Sequence, residues 1–241
     1  MDAHARDEIT VPDADSRPQT PPVVEPRGGD GRVRAVWAWW GVSAGALGLA
    51  GNFVATHGTL ERADAAMAVS ALDRTGQHLG TIAGMGAFVS LLMLSAGWRR
   101  WAGAWSGLAE QAMAPAFLVT ATLVLFGTGL RGGMAEYLPG GTNDDNFVDE
   151  GLYVLFMVHD TAPWFAWWGV VVAAGLVVAL SLGRRLLPRW LGVLSAVAVV
   201  LPVVVMVGSG AVAGAGLVGP VWLVLFSVVI AVRGVPATGR P

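Results

Sequence analysis

Along this chain, long apolar runs alternate with short polar joints. The runs are Val36–Thr56, His78–Gly97, Met113–Leu130, Thr161–Leu182, Trp190–Gly208 and Gly216–Val232. Each approaches the roughly 20 residues that, at about 1.5 Å rise, span a hydrocarbon core of about 30 Å. Lipid offers no hydrogen bonds, so a crossing segment satisfies its backbone internally and is helical. The pattern predicts an all-α fold, a polytopic transmembrane helix bundle whose six membrane spans occupy residues 35–233.

Residues 1–34 are polar and rich in Pro, Asp and Arg, with too little apolar surface to offset the entropy of ordering, and are expected to be a disordered tail. The first apolar run lies too far from the start for a cleavable signal and reads as a retained anchor. Residues 234–241 form a second, short tail. Arg27, Arg32, Arg34, Arg99, Arg100, Arg184, Arg185, Arg189 and Arg233 fall in the tails and in the joints after spans two and four. The opposite joints hold Arg62, Arg74 and Arg131 among many acids. The bias of arginine toward the cytoplasm then places both termini there, in the inner (cell) membrane.

Composition agrees: 54% of residues are hydrophobic and 13% charged, against about a quarter charged in soluble proteins. All basic residues are Arg, and Ala, Gly and Val dominate the apolar set, a bias expected of a GC-rich genome. There is no Cys, which excludes disulfides, thiolate metal sites and cysteine nucleophiles.

Trp37, Trp39, Trp40, Trp98, Trp101, Trp105 and Trp190 cluster at predicted cytoplasmic ends and read as an aromatic belt, with Trp164, Trp167 and Trp168 its counterpart opposite. Gly41 and Gly45, Gly80 and Gly84, and Gly129 and Gly133 are four apart and clear one helix stripe, for packing within the chain or for a homodimer seam. Ala38–Val42 and Ala166–Val170 share the sequence Ala-Trp-Trp-Gly-Val, too short a match to establish inverted halves. Pro202 and Pro220 are expected to kink their spans.

The centres of the predicted spans lack ionisable residues, where ion-coupled carriers usually keep one. Thr120, Thr122 and Ser195 are expected to bond carbonyls one turn back. Polar residues gather instead at the outer ends: Asn52, Thr56, His57, Arg74, Gln77, His78, Arg131, His159 and Asp160. His57, His78, His159 and Asp160 are the candidate metal ligands there, since imidazole and carboxylate suit transition metals and facing imidazoles suit haem. His159-Asp160 precedes Pro163 in a kinked or re-entrant entry to span four; as a pair they read more simply as interfacial polar residues capping a helix start. The acidic stretch 143–150 reads as a solvated loop. No phosphate-binding Gly loop, zinc helix or nucleophile elbow is present.

Arg184-Arg185, then Pro188-Arg189-Trp190-Leu191-Gly192 opening a span, a Gly-rich turn, and Trp222, Ser227 and Arg233, together with His78 and the Arg99-Arg100 pair, carry a resemblance. The chain resembles a family of uncharacterised actinobacterial integral membrane proteins, a domain of unknown function with six helices. The resemblance implies topology and no catalytic residue. The leading expectation is a non-enzymatic accessory or interaction subunit with no cofactor. A metal- or haem-binding membrane enzyme with an extracytoplasmic site stands second, and a facilitator for a neutral or apolar solute third. The expected partners are the lipid bilayer and a homodimer mate or membrane protein; nucleic acid is not expected.

Overall fold

The computed structural model describes residues 32–54, 69, 72–144, 146 and 148–237. The predicted N-terminal tail up to residue 31, the end of span one from Ala55, and His57 lie outside them. A single 3-10 turn, Val36–Ala38, leads into α1, Trp39–Val54. Then follow α2, Arg74–Ala102; α3, Leu108–Tyr137; α4, Asp149–Phe165; α5, Trp168–Val178; α6, Arg189–Ser209; and α7, Gly214–Arg233. α4 and α5 form one broken rod, Asp149–Gly183, whose last turn, Ala179–Gly183, widens to π geometry.

Five helices are long and apolar enough to cross a membrane, namely α2, α3, the α4–α5 rod, α6 and α7. The chain is a multi-pass membrane protein. Several helices outrun their predicted spans: α2 begins at Arg74, α3 covers Leu108–Tyr137, and α4 begins at Asp149. Hydropathy marks where hydrocarbon ends, whereas a helix runs on until its hydrogen bonding is capped. Asp73 supplies such a cap for α2, accepting from the backbone N–H of Thr75 and Gly76 at 3.0 and 2.9 Å. Asp149 and Glu150, expected in a solvated loop, lie in the first turn of α4, where acids complement the helix dipole. Pro163 lies within α4, which continues to Phe165 before the chain breaks at Ala166–Trp167. With no N–H, Pro163 cannot complete the ladder at that point.

α2 and α3 form the main antiparallel hairpin, α1 lies against α2 and α7, and α5 packs on α3, α6 and α7. Small residues let these helices close. Gly41 faces Ser227, Gly45 faces the Pro220 carbonyl and Val224, Gly80 faces Arg131 and Gly84 faces Thr128. The first two Gly pairs therefore pack within the chain, whereas nothing lies within 4 Å of a Cβ at Gly129. The hydroxyls of Thr120, Thr122 and Ser195 bond the carbonyls of Ala116, Leu118 and Leu191, as expected.

The aromatic belt needs correction. Trp39, Trp40 and Trp190 are exposed, but Trp98, Trp101 and Trp167 are buried in the core. Trp98 meets Trp37, Trp101, Phe117 and Phe226, and its indole N–H donates to the Glu110 carbonyl at 2.8 Å. Trp167 fills the space left by Gly48. The two Ala-Trp-Trp-Gly-Val segments thus put their tryptophans in unlike surroundings, the first exposed at Trp39 and Trp40 and the second buried at Trp167. The buried Trp98 and Trp101 indoles each keep a carbonyl partner for the N–H, so burial leaves neither donor unsatisfied.

The described ends of the chain meet. Strand β1, Arg32–Val33, pairs antiparallel with β2, Val235–Pro236, so residues that the sequence placed in two separate tails form one strap. Trp101 donates to the Pro236 carbonyl at 3.2 Å and Arg32 to the Arg233 carbonyl at 3.2 Å.

Replacing Gly84 by Leu should destabilise the protein by about 1–3 kcal/mol, because Thr128 occupies the space. Gly129→Ala should fall within about 0.5 kcal/mol of the parent. Thermal unfolding of both in one detergent checks the pair.

Candidate functional site

The end of the bundle opposite the terminal strap gathers the C-terminal turns of α1, the first turns of α2, the last turns of α3 and the middle of α4. Polar side chains from all four turn inward. Gln77 is buried in the first turn of α2, four residues below the Asp73 cap. His159, buried on α4, brings Nε2 to 2.8 Å from Gln77 Oε1. With the amide oxygen facing it, a neutral ring carries its proton on Nε2 and donates.

Arg131 reaches inward from α3. Its side chain threads past Gly80 and donates from Nη1 to the Gly51 carbonyl at 2.7 Å, near the end of α1. Gly51 is placed for this by the close approach of α1 to Gly80 and Ala83 of α2. Arg131 is 6% exposed, and its Nε has no hydrogen-bond partner among the described residues. The compensating charge is Asp160, which acts on Arg131 electrostatically and lies on the exposed side of α4. Asn52 extends the ties to α7, donating to the Gly216 carbonyl at 3.2 Å, and Arg74 donates to the Ala135 carbonyl at 3.0 Å.

Beside Arg131 and Asn52 lies a cavity of about 20 Å³, lined also by Thr128 and by the apolar Leu47, Val124 and Trp167. That is room for about one water, whose hydrogen-bond partners would be Asn52, Thr128 and Arg131 in an otherwise apolar lining. The polar residues expected to line an open vestibule thus converge, but around a nearly filled interior.

The candidate ligands part company. Gln77 and His78 are adjacent on α2 and point about 100° apart; Gln77 turns in and His78 is exposed. His159 is buried, Asp160 is exposed, and His57 lies outside the described residues. Among the described residues no group of three or more His, Asp and Glu side chains is placed to hold a metal ion. The arrangement can tie helices, hold a water and present a buried positive charge behind Asp160.

A second buried charge sits near the other end. Glu110, in the first turn of α3, is fully buried; its Oε1 accepts from Arg184 Nη1 at 3.1 Å, while Oε2 has no partner among the described residues. Sequence reading passed over Glu110 because it precedes the apolar part of α3. The signal was its place at the start of a helix beside an Arg-rich joint.

No family model, curated protein or solved structure matches the chain.

Gln77→Leu should cost about 1–3 kcal/mol by leaving a buried imidazole nitrogen without its partner. The double variant Gln77→Leu with His159→Leu should recover most of that loss, since replacing both partners by apolar groups is nearly neutral. Unfolding in detergent of the parent, both single variants and the double variant gives the coupling directly.

Proposed function

We propose that the chain is a six-crossing protein of the cytoplasmic membrane with both termini in the cytoplasm, and that it serves as a non-enzymatic accessory or interaction subunit. The observation that carries this reading is the use made of the interior polar groups. Gln77 and His159 bond each other across two helices, and Arg131 and Asn52 bond to other helices beside a cavity of only about 20 Å³. A solute path would need that space open. Membership in the six-helix actinobacterial family belongs to the same proposal and assigns no residue a role.

The pairing of β1 with β2 supports an even number of crossings, because it holds the two described ends at one end of the bundle. Five helices qualify by length and composition. The sixth crossing is then Val36–Val54, about 28 Å long at 1.5 Å per residue and close to the thickness of the hydrocarbon core. The arginines at the strap end, Arg99, Arg100, Arg184, Arg185, Arg189 and Arg233, support a cytoplasmic assignment of that end.

The chain has no Cys, so one introduced thiol is its only one. In intact cells a membrane-impermeant maleimide should label Asn143→Cys but reach Ser106→Cys and Arg185→Cys only after permeabilisation. External labelling at Ser106 would reverse the topology. Extracted in mild detergent from its own membrane at native expression, the 25.0 kDa chain should travel in stoichiometric complex with a different membrane protein. Recovery as a monomer or homodimer alone would sink the subunit reading.

A further inference from the structure

At the strap end of the bundle, a groove of about 580 Å³ lies between the start of α1 and the end of α2. Its size falls within the range of about 300–1,000 Å³ usual for small-molecule sites. Arg34, just before the start of α1, and Arg100, in the last turn of α2, both line it. Both are exposed, and neither side chain has a hydrogen bond or ion pair among the described residues. Arg34 follows directly on Val33, which pairs with Val235. The strap therefore fixes the backbone that carries this arginine, and Trp101 fixes the strap through Pro236. Trp37 and Trp40 wall the groove, Trp37 held edge-on against buried Trp98.

The floor is apolar. Met93 opens the groove onto the outer face of α2, where Met85, Val89 and Met93 are each about half exposed, at 43%, 48% and 45%. These three are spaced by four residues and form one stripe running from the groove along the membrane-spanning part of the helix. Two unpaired guanidinium groups at the end of a spanning helix, beside indole rings and above an apolar stripe, match one chemistry. It carries a phosphate at headgroup depth with a hydrocarbon chain below it.

We infer that this groove binds one anionic glycerophospholipid, its phosphate between Arg34 and Arg100 and an acyl chain along Met93, Val89 and Met85. The inference rests on the membrane reading of the helices and not on the subunit reading. Arginine suits the role because its planar fork gives two parallel N–H donors to phosphate oxygens. A zwitterionic lipid brings its own cation to the same place and gains less from the pair.

Purified full-length protein in mild detergent would be titrated with phosphatidylglycerol or phosphatidylcholine of the same acyl chains, and the bound lipid counted by native mass spectrometry. One phosphatidylglycerol should be retained per chain at concentrations where phosphatidylcholine is not. At about fivefold per arginine, Arg34→Gln with Arg100→Gln should weaken retention roughly 25-fold. Arg185→Gln with Arg189→Gln removes the same charge away from the groove and should leave retention unchanged. Soluble glycerol 3-phosphate should not displace the lipid. Equal retention of the two lipids, or equal loss in both double variants, would overturn the proposal in favour of unspecific surface charge. Displacement by glycerol 3-phosphate would overturn it in favour of a site for soluble phosphates. Melting temperatures matched to the parent confirm that the variants report on the groove and not on folding, as expected for exposed, unbonded side chains.

Discussion

Hydrocarbon gives helices no reason to associate through burial alone, because lipid tails are as apolar as leucine. Association in this protein therefore depends on how closely backbones approach. The approach is set by where Cβ atoms are missing: Gly41 and Gly45 admit α7, Gly80 and Gly84 admit α3, and Gly48 admits the Trp167 indole. Every larger feature follows from these contacts. The Trp98 cluster is dense because the helices around it are close, and Arg131 can cross from α3 to the Gly51 carbonyl because Gly80 leaves it a passage.

Close packing also decides what polar residues do. Once the helices have met, a buried donor or acceptor finds a partner on another helix or carries a cost of about 1–3 kcal/mol. The pairs His159 with Gln77, Asn52 with the Gly216 carbonyl, Trp222 with Ser195 and Ser90 with Ser43 each join two helices. Such ties are directional where packing is not, so they fix the rotation of one helix against the next. Among the described residues two buried charges sit at opposite ends, Arg131 behind Asp160 and Glu110 behind Arg184, each within reach of a partner that is itself exposed.

The centres of the crossing helices were legible from the sequence because apolar length is a direct statement about lipid. Their ends were not. Asp149 and Glu150 read as part of an acidic loop and the fourth predicted span begins only at Thr161, yet the chain is helical from Asp149 because nothing breaks the ladder before the region of Pro163. The tryptophans misled for a related reason: composition shows that an indole is near an end, and only the fold shows whether it faces the headgroups, as Trp40 does, or a partner carbonyl, as Trp98 does. At the candidate site the sequence assembled the right neighbourhood, since Asn52, Gln77, Arg131 and His159 converge. It gave more weight to His78 than to Gln77 because imidazole has the richer chemistry. A shift of one residue on α2 decides which side chain faces inward, and only packing sets that phase.

The strap formed by β1 and β2 bears on how the molecule is made. Synthesis runs from α1 to α7, yet α1 packs against α7, and Arg32–Val33 pair with Val235–Pro236. Helix α1 must wait, with Gly41 and Gly45 uncovered, until α7 has been delivered. Closure of this bundle consequently follows the delivery of α7, and the last residues of that helix together with β2 hold the latch.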